Sequence, residues 1–131
     1  MEDSHAPKHL RQLARQLSEF VAIIHVMLWN LDKITLTYHL EKEDAPERIA
    51  EDFLMVASDV LPRVDAPAEQ LTLTGNILAD WAVLADLVLL MGLTGPTGRR
   101  LDTAAHVLDR IATALVILKD TAPELIRPKE D

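Results

Sequence analysis

The chain has 131 residues, 49% of them hydrophobic but only 4% aromatic, no cysteine, and a formal charge of −8. That length fits one domain able to close a core without covalent staples. The lack of cysteine excludes a disulfide framework, a cysteine zinc site and a cysteine nucleophile. The acidic balance repels a phosphate backbone, so no nucleic-acid partner is expected.

Leu and Ala dominate the apolar residues, and three of the four glycines fall within Gly92 to Gly98. This composition favours helices over sheet. Met-Glu-Asp-Ser-His at the N-terminus lacks the basic and apolar regions of a signal peptide. Of the two apolar stretches, Phe20 to Leu31 is too short to span a bilayer. Ile77 to Leu93 is interrupted by Asp80 and Asp86, each costly in hydrocarbon. The expectation is a cytoplasmic chain without membrane contact.

Ser4 is a candidate N-cap, and Pro7 suits a first helical turn. From there Leu10, Leu13, Leu17, Phe20, Ile24, Met27, Leu31, Ile34 and Tyr38 alternate steps of three and four, a heptad seam. No Gly or Pro interrupts before Pro46. The pattern predicts one helix over 7–41, about 50 Å long, with a bend or fray near Thr35 and Thr37. Asp44 and Pro46 start a second helix over 45–61, with Ile49, Phe53, Val56 and Val60 inward and Pro62 ending or kinking it. A third helix is predicted over 67–91 and, after the glycine-rich loop, a fourth over 99–120. Leu101, Ala104, Leu108, Ile111, Leu115 and Leu118 form the fourth helix's seam. Residues 121–131 read as a short polar tail. The expected fold is all-α: a single up-and-down four-helix bundle with an extra-long first helix.

The seam leaves a second side of helix 1 unexplained. Ile23, Val26, Trp29 and Leu36 project away from it at 100° per residue. On the third helix, Val83, Leu87 and Leu90 point away from Trp81 and Leu84. Surplus apolar surface of this size marks an interface or an aggregation hazard. These seven residues are the candidate homodimer interface. The competing reading makes helix 1 the central helix of a monomer, wrapped by the other three.

Several side chains carry candidate chemistry. His5 and His9 stand four apart, a metal-ligand spacing, but Pro7 places the helix start between them. A solvated terminus accounts for them, and no metal is expected. His25 interrupts the most apolar segment. It is read either as a core or interface histidine, or as the polar anchor of an apolar-ligand pocket lined by Phe20, Met27, Trp29, Trp81 and Met91. Asp80 and Asp86 read as a solvated helix edge or as partners for Arg or His across a dimer. Arg99 and Arg100 follow three glycines at a helix start, a candidate anion site, though no Walker Lys-Ser/Thr follows.

Arg100 and His106 have five residues between them. This resembles the Arg and His that helical ribonucleases of the HEPN class carry at comparable spacing. The resemblance covers those two residues alone and would imply a ribonuclease using Arg100 and His106. Serine is scarce, and none lies in a nucleophile-elbow context.

The leading expectation is a non-enzymatic helical module that needs no cofactor and works by protein–protein contact, pairing with itself or another protein as a subunit, adaptor or small regulator. A ligand-binding bundle around His25 is the first alternative, and the helical ribonuclease the second.

Overall fold

The computed structural model describes residues 6–35 and 46–127. It is all-helical, with no strand among the described residues. The elements are α1 (Ala6–Asp32), α2 (Pro46–Met55), a π-turn over Val56–Val60, a 3-10 turn over Leu61–Arg63, α3 (Ala68–Thr94), α4 (Gly98–Thr121) and the short α5 (Pro123–Ile126).

The first helix is not extra-long. α1 and α3 both have 27 residues. Lys33 adopts a left-handed conformation (φ 53), its N–H bonds the Trp29 carbonyl at 2.7 Å, and the Ile34 N–H bonds that of Leu28 at 3.1 Å. This is a left-handed helix cap on a residue with a Cβ, which costs about 1–2 kcal/mol. Ile34 returns to pack on the core and so holds the turn in place. Positions 36–41 of the predicted helix lie outside the described residues.

Pro62 shapes the end of the second helical segment. It has no N–H, and its ring would clash with the carbonyl of Ser58 in an α-helix. The chain widens into the π-turn, where the Leu61 N–H bonds the Val56 carbonyl, and continues as a 3-10 turn to Arg63. The segment therefore passes the predicted boundary at 61. α3 likewise runs through Gly92 and stops at Gly95, whose φ of 94 suits glycine. Thr97 caps α4 by accepting from the Arg100 N–H at 3.2 Å. The expected polar tail instead contains α5, with Ala122 and Leu125 buried.

α3 is the central helix. It packs against α1, α2 and α4, and α5 lies against α1 and α4. Trp81 marks the middle layer. Its indole N–H donates to the Leu17 carbonyl at 2.9 Å, and its ring meets Phe53 edge-on, with centroids 4.9 Å apart. Beside it, Arg110 pairs with Asp80 at 3.3 Å.

These contacts set the helix directions. Phe53 is level with Trp81 and Leu61 with Gly75, so α2 runs antiparallel to α3. The three-residue connection after Thr94 and the Arg110–Asp80 pair make α4 antiparallel to α3 as well. His9 to Gln16 lie beside Leu101 to Leu108, and Asn30 reaches Leu125, so α1 runs parallel to α4. Three helices thus point one way and α3 the other, which corrects the up-and-down expectation. Asp32 and Pro46 fall about 30 Å apart along the α3 axis at 1.5 Å per residue. The up-and-down expectation rested on extending helix 1 to residue 41.

The core joins Leu13, Leu17, Ile24 and Leu28 of α1 to Phe53, Trp81, Leu84, Ile111 and Leu118. Thr74 is the buried polar side chain among the described residues, and its hydroxyl has no hydrogen-bond partner. An unsatisfied buried hydroxyl costs about 1–3 kcal/mol. Thr74→Val keeps the shape and β-branching and removes the orphan oxygen. It is expected to raise the free energy of unfolding by about 1 kcal/mol in urea titration. Trp81→Phe loses the indole donor and part of the ring volume, and is expected to cost about 2–3 kcal/mol in the same measurement.

Candidate functional site

The seven candidate interface residues do not form one surface. Leu36 lies outside the described residues. Ile23 is half-buried and packs on the core, and Val26 is half-buried. Trp29 is exposed, but it sits twelve residues beyond Leu17 on α1, whereas Leu90 sits nine residues beyond Trp81 on the antiparallel α3. Trp29 and Leu90 are therefore about 30 Å apart along the axis. The α3 residues do belong together. Val83 is 47% exposed and Leu90 39%, with Leu87 half-buried between them and Leu93, at 77% exposed, one turn further on. Asp86 lies exposed on the same side.

α3 is long and apolar enough to cross a membrane by length and composition. Packing by α1, α2 and α4 accounts for Ile77, Leu78, Trp81, Leu84 and Met91, all buried. It does not account for Val83, Leu90 and Leu93. The outward stripe is thus one part of the apolar surface that the described fold leaves over, beside Leu54 and Met55 of α2 and Val116 and Ile117 of α4.

The pocket proposed around His25 is not assembled. Met27, Trp81 and Met91 are fully buried core residues, and Met91 lies at the opposite end of the molecule from Trp29. Phe20 is half-buried and packs on the core. Six residues so distributed cannot line one cavity. The pattern failed because the five residues around His25 are apolar and helical, which makes each a core candidate wherever it falls along the axis.

Asp80 is largely buried and pairs within the chain with Arg110. Its sequence signal was a carboxylate in an apolar helix, but nothing in the spacing named Arg110. Arg100 donates from Nη1 to the Thr94 hydroxyl at 2.6 Å, which ties the side chain across the α3–α4 connection. Arg99 is exposed. Arg100 and His106 are about 120° apart around α4 at 100° per residue and do not converge on one face. His5 lies outside the described residues, and no group of three metal-ligating side chains occurs among those described.

A feature that the sequence did not announce is a groove of about 380 Å³ between the N-terminal halves of α1 and α4. His9, Gln12, Leu13 and Gln16 line one wall, and Leu101, Asp102, Ala105 and Leu108 the other. It exists because α1 and α4 run parallel and touch directly over little of their length, a relation that periodicity within single helices does not encode.

No known family, characterised protein or solved structure matches this chain.

His25 is half-buried on α1, and burial lowers its pKa below the ordinary 6.5. The unfolded chain then binds the proton more readily than the folded one, so stability is full above pH 6.5 and is lost as the pH falls below it. Thermal midpoints are expected to drop as the pH falls below about 6.5. The His25→Gln variant, which cannot titrate there, should show a flatter profile.

Proposed function

We propose that this chain is a helical protein–protein interaction module that self-associates through the outer face of α3. The observation that supports the reading is the run of Val83, Leu87, Leu90 and Leu93, apolar and outward-facing on a helix that packs elsewhere against α1, α2 and α4. On this reading the four long helices form one bundle around α3, and two copies bury the leftover stripe against each other as a homodimer. Contiguous exposed apolar surface on an ordered helix is characteristic of interaction sites. Asp86 on the stripe would supply its polar rim. The chain would serve as a subunit, adaptor or small regulator, with contact itself as the activity.

Sedimentation equilibrium at micromolar concentration tests this. The wild-type chain is expected to sediment as a dimer. The double substitution Val83→Asp and Leu90→Asp places two charges on exposed positions and should yield a monomer with unchanged far-ultraviolet circular dichroism. A wild-type monomer, or a double variant that remains dimeric, would contradict the proposal.

A further inference from the structure

The groove between α1 and α4 is part of a longer feature. At its other end the chain's own α5 sits between the same two helices, in contact with both. Leu125 is buried there, and the Asn30 amide donates to the Leu125 carbonyl at 2.9 Å and to the Arg127 carbonyl at 2.8 Å. One α1 side chain thus satisfies two carbonyls at the C-terminal end of a short helix, groups that would otherwise lack partners.

The half that the described residues leave open repeats this chemistry. Gln12 and Gln16 lie on the same edge of α1 as Asn30, at 100° per residue, and they line the groove. Their amides carry no hydrogen bond among the described residues. Leu13, Leu101 and Leu108 supply the apolar floor, and Ala105 leaves the wall low. Asp102 adds a carboxylate at the rim.

We propose that this half-groove docks a short helical peptide of a partner protein in the manner of α5. A leucine of the peptide enters between Leu13, Leu101 and Leu108. Gln12 and Gln16 donate to the carbonyls of its last turn, and a basic residue of the peptide meets Asp102. The α3 stripe plays no part, so this site and the proposed self-association stand or fall separately.

The probe is a capped peptide with the chain's own residues 121–127, titrated into the isotope-labelled full chain and followed by amide chemical shifts. Shifts are expected at 9–16 and 101–108. Ala105→Trp, at an exposed position, plugs the groove and should abolish them. The Gln12→Ala, Gln16→Ala pair should weaken binding about tenfold, as the loss of two hydrogen bonds implies. Val83→Asp with Leu90→Asp should leave binding unchanged. No shifts at millimolar peptide would overturn the proposal, as would shifts confined to Asn30 and 122–127 or equal binding by the folded Ala105→Trp variant.

Discussion

The indole of Trp81 joins three helices at one level. Its ring fills the space against Phe53 of α2, and its N–H reaches a main-chain carbonyl of α1. A buried indole N–H needs an acceptor, and here the acceptor belongs to the helix backbone and not to a side chain. That bond fixes the height of α1 relative to α3. The edge-on ring contact fixes the height of α2, and the Asp80–Arg110 pair on the next residue fixes α4. Everything above and below follows from this layer: Asn30 falls opposite α5, and Gln12 and Gln16 opposite Leu101 and Leu108.

The same layer explains why apolar surface remains on α3. Three helices cover most of its circumference, and the polar-to-apolar change along the open arc runs from Thr72 and Asn76 to Val83, Leu90 and Leu93. The apolar half of that arc lies towards the end where α3 meets the α4 connection. Surface is therefore left over on the helix that is otherwise the best packed, which is why a one-sided amphipathic pattern never appears in its sequence.

The heptad seam of α1 was legible. Leu13, Leu17, Ile24 and Met27 are buried as their spacing demands. The flanks of the seam were not. Val21 and Leu28 are buried, whereas Ile23 and Val26 on the opposite flank are only half covered. Spacing defines a stripe but not which side of it a neighbour occupies. Helix starts at Pro46, Ala68 and Gly98 were read to within a residue, whereas the ends expected at Pro62 and Gly92 were placed two to three residues early. The end at Lys33 was missed because lysine carries no signal for a left-handed cap. That single miss also hid the direction of α2, which runs parallel to α1. Of the candidate sites, the α3 stripe Val83–Leu87–Leu90 was visible as surplus hydrophobicity. The α1–α4 groove was not, because it arises from the angle and separation of two helices far apart in sequence.

The shared direction of α1, α2 and α4 has an electrical consequence. Peptide dipoles give each helix end the equivalent of about half an elementary charge. With three N-termini at one end and a single antiparallel helix to oppose them, the dipoles do not cancel as they would in an alternating arrangement. Lys8, Arg11, Arg99 and Arg100 lie at that same end. In a chain whose formal charge is −8, those four cations therefore stand against the positive ends of the helix dipoles, where like charge is unfavourable.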